Sequence, residues 1–144
     1  SIELLYNGNE KVIRKEFKAN LNELPNVQQL VNSQLKKYCT DANTINQINL
    51  AVEEIFVNIV SYAYKDKEGS CFITVKHTGK SIEFTFEDDG IPFNPLEKDP
   101  PDITLPTSKR KIGGLGIYLV KQIMDKVEYR YENNRNILKI KKEV

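Results

Sequence analysis

The chain has 144 residues with 21 basic and 20 acidic side chains, for a formal net charge of +1. This length suits a single domain, 1–144, with its own core, and the balanced charge excludes the broad basic surface of a nucleic-acid-binding protein. No apolar stretch reaches the ~20 residues of a membrane span. Cys39 and Cys71 are far apart in sequence, which is typical of buried thiols in a reduced, cytoplasmic protein. We therefore expect neither a nucleic acid nor a membrane as partner.

The N-terminal part of the chain predicts a hairpin followed by a helix. Residues 2–6 and 12–17 have strand composition and are joined by Asn7-Gly8-Asn9, a good hairpin turn. Residues 25–38 place apolar side chains at helical spacing.

A second helix is predicted over residues 43–64, and it is apolar around most of its circumference. Glu54 and Asn58 lie one turn apart on a line of this helix that apolar residues flank. A buried carboxylate and amide need partners or a ligand. The alternative is an ordinary core amide beside a surface acid.

Residues 70–77 and 81–87 predict a second hairpin, which ends in Asp88-Asp89-Gly90. Acids at a strand end usually mark a turn. A carboxylate at the mouth of a sheet can instead accept a hydrogen bond from an adenine amino group, while Gly90 lets the base approach the backbone.

The segment 94–112, here called the lid segment, has neither helical nor strand periodicity. It carries four prolines and ends in the basic run Lys109-Arg110-Lys111. A structureless connection of this length is uncommon in a compact domain unless it covers a binding site. The basic run could meet a phosphate or an acidic partner, but it could equally be solvated surface.

Gly113-Gly114-Leu115-Gly116 runs directly into an amphipathic helix. Free backbone N–H groups at a helix N-terminus, next to chain that can bend closely, form a cradle for phosphates. A flexible hinge is the alternative interpretation. The spacing is not that of a dinucleotide-binding fingerprint.

Two further strands, 128–132 and 137–142, complete the predicted elements. Their order favours an α+β fold, a two-layer α/β sandwich with helices on one face of a mixed, mostly antiparallel sheet.

Taken together, Glu54-x-x-x-Asn58, Asp88-x-Gly90 and Gly113-Gly114-Leu115-Gly116 resemble the three nucleotide-binding boxes of the Bergerat-fold ATPases. This superfamily includes gyrase, the heat-shock chaperone, histidine kinases and the mismatch-repair ATPase. The short chain and the sequence around the last helix are most similar to the bacterial anti-sigma-factor serine/threonine kinases.

The resemblance implies a role for each of these positions. Asn58 would coordinate Mg²⁺ on the phosphates of ATP, Asp88 would bind the adenine amino group, and Gly90 would shape the turn beside it. Gly113, Gly114, Leu115 and Gly116 would contact the phosphates. Glu54 stands where the family places its general base. The chain differs from the family at two points, because Tyr62 replaces a common His and no Gly-Thr pair precedes the last strand.

The resemblance also implies a function and partners. The chain would be an ATP-binding anti-sigma regulatory factor that phosphorylates an anti-sigma-factor antagonist on Ser or Thr, sequesters a sigma factor and forms a homodimer. One alternative is a non-catalytic, ATP-dependent switch that only binds its partner. The other is a Bergerat-fold ATPase with a different partner.

Overall fold

The computed structural model describes residues 2–7, 10–65, 67–97 and 114–144. Within these ranges the chain forms six strands and three α-helices. They are β1 Ile2–Asn7, β2 Glu10–Lys18, α1 Leu24–Leu35, α2 Ala42–Asn58, β3 Ser70–Thr78, β4 Ser81–Asp88, α3 Gly114–Ile123, β5 Lys126–Glu132 and β6 Arg135–Glu143. No helix among the described residues is long and apolar enough to span a lipid bilayer.

The strands form one sheet in the order β1-β2-β3-β4-β6-β5, and alternate side chains of β2, β3, β4 and β6 join the helices in one hydrophobic core. The predicted α+β sandwich is confirmed. The prediction was a mixed, mostly antiparallel sheet, and every described strand pair is antiparallel. Strand β5 runs parallel to β4, but the two do not pair because β6 lies between them and is antiparallel to both.

Turn residues fix how the strands connect. Gly79, between β3 and β4, has a φ of +58°, which favours glycine. Asn133 and Asn134, between β5 and β6, have φ values of +53° and +61°. Two consecutive left-handed residues are typical of the two-residue hairpin turn that matches strand twist. This turn sets the register in which β6 pairs with β5.

Helix α2 crosses the core and carries two of the predicted site residues. Its N-cap is Asp41, whose carboxylate accepts hydrogen bonds from the backbone N–H and the hydroxyl of Thr44. The α-helix ends at Asn58, and residues Ile59–Ala63 continue as a π-helix. Helical periodicity predicted one uninterrupted helix to residue 64, because it cannot reveal this local widening. Asn58 therefore lies where the helical geometry changes.

The other boundaries shift by a few residues. Helix α1 was predicted to reach residue 38, but it ends at Leu35. Tyr38 lies beyond it, and its ring stacks on His77 with 3.6 Å between centroids. Cys39 and Cys71 are buried, free thiols, as predicted.

Candidate functional site

Asp88 is the last residue of β4, and it continues the row of buried side chains formed by Phe84 and Phe86. Its Oδ1 atom accepts hydrogen bonds from the backbone N–H of Gly90 at 2.9 Å and from Asn136 Nδ2 at 2.8 Å. No described residue donates to its other oxygen, Oδ2. Burial raises the pKa of the Asp88 carboxyl, although these two hydrogen bonds oppose the effect. One carboxylate oxygen is thus fixed by the fold and the other can accept a ligand.

Gly90 is required by a close approach between the turn and the end of the π-helix. A Cβ atom at this position would overlap the backbone carbonyl of Ala63. The neighbouring Ile91 donates its backbone N–H to that same carbonyl at 2.9 Å. Any side chain larger than hydrogen would push the turn away from the helix, so the close approach of the turn requires Gly90.

Asn136 belongs to this site and was missed as a site residue in the sequence. It is 5% exposed and pairs directly with Asp88 across β4 and β6. A signal for it exists in the sequence, because Asn136, Leu138 and Ile140 alternate as the core-facing residues of β6. A polar residue at the first position of such a row points to a buried partner.

Asp88 and Asn136 line a pocket whose other walls are mainly apolar. Its cavity volume is about 30 Å³, well below the usual range of small-molecule sites, so the pocket is narrow in this structure. Its lining is Ile55, Asn58, Ile59, Ala63, Phe86, Asp88, Phe93, Pro95, Tyr129, Asn136 and Leu138. Apolar walls with a carboxylate at one edge suit a flat heteroaromatic ring that carries an amino group.

Asn58 lies in the lining of the same pocket, and its residue is only 8% exposed. No hydrogen bond to its side-chain amide is made by any of the described residues. Its side-chain atoms are not among the fully buried atoms without a partner in the described residues, so solvent reaches the amide from the pocket. The chemistry of Asn58 therefore fits a role toward a ligand, since its carbonyl oxygen is a suitable Mg²⁺ ligand when phosphate and water complete the shell.

Glu54 lies one turn before Asn58 and faces the first turn of α3. Gly116 makes room for it, because a Cβ at Gly116 would overlap Glu54 Oε2. Burial raises the pKa of the half-buried Glu54 carboxyl, and the charge of Glu53 adds to this effect. Within the described ranges, Glu54 has no ion-pair or hydrogen-bond partner for its carboxylate.

The structure thus brings Asn58 and Asp88 to one pocket and Glu54 to Gly116. Gly113 and residues 98–112 of the lid segment lie outside the described residues, with the basic run 109–111 among them. Gly114 and Leu115 belong to the first turn of α3. The glycine run therefore does open a helix, while its contacts to phosphate remain a prediction.

The start of the lid segment is held by contacts from three elements. Asn136 Oδ1 accepts the backbone N–H of Phe93 at 3.1 Å, and the Phe93 ring stacks on Tyr62 at 5.2 Å. Lys121 Nζ, on α3, donates to the carbonyl of Leu96 at 3.4 Å. Tyr62, one of the two departures from the family pattern, thus packs against the chain that leads into the lid segment.

Comparison with known proteins gives matches to one family. The model of the histidine kinase-like ATPase domain matches residues 17–142. Serine-protein kinases RsbW of Bacillus thuringiensis strain Al Hakam and of Bacillus cereus strain 03BB102 are each 30% identical over 101 residues. RsbW of Bacillus mycoides strain KBAB4 is 28% identical over the same length.

Each of these alignments covers 67% of this chain and 63% of the relative, so it spans less than two thirds of the relatives' length. The resemblance drawn from the three boxes is confirmed by these matches. The family model covers all three boxes, from Glu54 to Gly116. The chain belongs to the histidine kinase-like ATPase family.

Proposed function

We propose that this protein binds ATP with Mg²⁺ and transfers the γ-phosphoryl group to a Ser or Thr of a partner protein. The observation that carries the proposal is the pairing, in one pocket, of an Asp88 oxygen and an Asn58 amide that lack partners among the described residues. A Mg²⁺-bound nucleotide would supply a hydrogen-bond donor to Asp88 and a metal ion to Asn58. Its base brings an amino group to Asp88, and its phosphates bring a metal ion to Asn58.

The residues present fit both groups. Ile55, Phe86 and Leu138 form apolar walls for the base, and Asn58 would hold Mg²⁺ through its carbonyl oxygen. When bound, the ion neutralises charge on the phosphates. Gly116 lies in the first turn of α3, and backbone N–H groups at a helix N-terminus can bind phosphate oxygens. We extend the same role to Gly113, Gly114 and Leu115 from the sequence pattern.

Glu54 supports transfer to a protein hydroxyl rather than binding alone. Phosphoryl transfer requires positioning, charge neutralisation and a group that takes the hydroxyl proton. The oxygen of the partner's hydroxyl forms a bond to the γ-phosphorus while the bond to the β-phosphate oxygen breaks, ADP leaves, and Glu54 takes the proton. The raised pKa of Glu54, caused by burial, increases its affinity for that proton.

The partners follow from the resemblance of the three boxes to the anti-sigma-factor kinases. We propose an anti-sigma-factor antagonist as the phosphorylated protein and a sigma factor as the protein sequestered, with the kinase acting as a homodimer. The names of the relatives, serine-protein kinases, support the kinase part of this proposal. A non-catalytic switch is the second candidate, since the same pocket could bind ATP without transfer.

The test is a transfer assay with γ-labelled ATP, Mg²⁺ and a candidate antagonist protein encoded beside this one. Label should appear on Ser or Thr, and Glu54→Gln should lower the rate about 10²–10⁴-fold while ATP affinity changes little. Glu53→Gln is the matched control, because Glu53 is the adjacent acid and projects about 100° away on the helix. We expect it to transfer at close to the wild-type rate.

The outcomes separate the candidates. ATP binding without label on any partner would favour the non-catalytic switch. Release of ADP without a protein acceptor would favour an ATPase with another partner. Failure of the wild-type protein to bind ATP would contradict all three.

A further inference from the structure

Asn136 is a buried amide whose four hydrogen-bonding positions are all used. Its Nδ2 donates to Asp88 Oδ1 and to the carbonyl of Ile91, each at 2.8 Å. Its Oδ1 accepts the backbone N–H of Phe93 and the hydroxyl of Tyr129. An Asn side chain offers two donors and two lone pairs, so no capacity remains for a ligand. Asn136 therefore acts through its neighbours.

Two backbone groups fix the orientation of this amide. The Ile91 carbonyl can only accept and the Phe93 N–H can only donate. A flipped amide would put Nδ2 against a donor and Oδ1 against an acceptor, which would lose both bonds. The NH₂ group must therefore face Asp88, and the donated bond to Oδ1 is dictated by the surrounding chain.

The consequence for Asp88 is an asymmetric carboxylate. Oδ1 is occupied by Asn136 and Gly90, whereas Oδ2 has no partner among the described residues and Asp88 lines the pocket. Without Asn136, the carboxylate would lose the bond that orients it from the neighbouring strand. It could then rotate and present either oxygen to the pocket.

We propose that Asn136 is the positioning residue for base recognition: it holds Asp88 with Oδ2 toward the adenine amino group and ties that carboxylate to the backbone of residues 91–93. Base recognition and the placement of the chain that enters the lid segment thus depend on one side chain. This inference rests on the proposed ATP binding and on the role of Asp88.

Base discrimination is the readout, because a merely structural role would not change it. Affinity is measured for ATP and for purine riboside triphosphate, which lacks the 6-amino group. The wild-type protein should prefer ATP at least about 10-fold, the worth of one hydrogen bond to a charged acceptor. Asn136→Ala should lose most of this preference by weakening ATP binding while binding of the purine analogue changes little.

A second variant guards against misfolding of the first. In Asn136→Ser the hydroxyl can give Asp88 one hydrogen bond but cannot serve Ile91 and Phe93 as well, so we expect intermediate discrimination. The matched control is Asn49→Ser, at a half-buried amide that bonds Asn32 and the Ile45 carbonyl between α1 and α2, away from the pocket. We expect it to keep wild-type discrimination.

Each result decides the inference. Equal weakening of both nucleotides by Asn136→Ala, or full wild-type discrimination in a folded Asn136→Ala or Asn136→Ser protein, would overturn the positioning role. A wild-type protein that binds ATP without preferring it to the analogue would also overturn it, while ATP binding itself stands. A wild-type protein that binds neither nucleotide would instead refute the proposed function.

Discussion

At the proposed base end of the site, formed by Asp88, Gly90 and Asn136, nearly every polar atom already has a partner within the fold. At the proposed phosphate end, formed by Glu54, Asn58 and Gly116, the Glu54 carboxylate and the Asn58 amide have no such partner among the described residues. The base end is organised by strand pairing, which exists before any ligand binds. At the phosphate end no hydrogen bond from a described residue positions Glu54. Its carboxylate occupies the space that the missing side chain of Gly116 leaves free.

This difference indicates that the two ends contribute to ligand binding in different ways. A preorganised base end contributes affinity without paying to order its side chains when a ligand binds. The phosphate end keeps unpaired groups that a metal ion, a phosphate or a partner hydroxyl can satisfy, at some cost to the stability of the empty protein. Substitutions at the base end should therefore change discrimination between bases, whereas those at the phosphate end should change the Mg²⁺ dependence of ATP binding and the transfer rate.

Asn58→Ala should have the largest effect of the substitutions at the phosphate end. It removes the proposed metal-binding oxygen, and we expect a loss of about 100-fold or more in Mg²⁺-dependent ATP affinity and in transfer. Titration of ATP by calorimetry with Mg²⁺ and with EDTA would measure it, because binding in EDTA should be nearly unchanged. Asn46→Ala, at an exposed amide of the same helix, serves as control. Equal losses with and without Mg²⁺ would contradict the metal role.

Gly116→Ala tests whether space alone positions Glu54. The added methyl group would overlap Glu54 Oε2, so the carboxylate must move. A displacement of about 1 Å can cost roughly 100-fold in rate, and we expect that loss in the phosphotransfer assay with ATP affinity changed only a few-fold.

Glu54→Gln combined with Gly116→Ala should be no slower than Glu54→Gln alone, because both changes act on one group. Gly79→Ala is the control, since nothing lies within 4 Å of a Cβ there, and its positive φ costs only stability. Additive losses in the double variant would show that Gly116 acts independently of Glu54.

The two ends also differ in how far the sequence predicts them. Glu54 and Asn58 lie on the helix that the sequence predicted, and Asp88 and Gly90 lie at and after the end of the predicted strand, because each belongs to a short-range pattern. The fold class follows from the order of periodic segments for the same reason. Local spacing predicts the β3–β4 hairpin but contains no information about which strand pairs with β4 on its other side.

Asn136 shows the consequence of that limit. Its role depends on the pairing of β4 with β6, between residues 48 apart in sequence, and on a hairpin that inserts β6 beside β4. The contact of Glu54 with Gly116 likewise needs the packing of α3 on α2. The π-helix after Asn58 is invisible to periodicity because it changes the spacing of hydrogen bonds without interrupting the apolar pattern.

The smallest expected effect concerns stability rather than activity. Burial raises the pKa of Glu54 in the folded protein above its unfolded value. The stabilising contribution of its protonated form is complete below the unfolded pKa and is lost as pH rises through the folded pKa. At neutral pH the charged Glu54 therefore destabilises the empty protein. Glu54→Gln should raise Tm slightly at pH 7, because water screens the half-buried charge, while it lowers the transfer rate about 10²–10⁴-fold.

Glu128, an acid whose pKa is shifted in the opposite direction, provides the control. A hydrogen bond from Lys126 lowers the pKa of the exposed Glu128, and their atoms Nζ and Oε1 are 3.0 Å apart. Its contribution is present above the unfolded pKa and is lost as pH falls through the folded pKa, so Glu128→Gln should lower Tm at pH 7. Calorimetry from pH 4 to pH 7 should show the gain from Glu54→Gln shrinking toward acid pH. If the increase in Tm were the same at every pH, the charge of Glu54 would not be its cause. The packing of the side chain against Gly116 would then explain why a carboxylate at this position destabilises the protein.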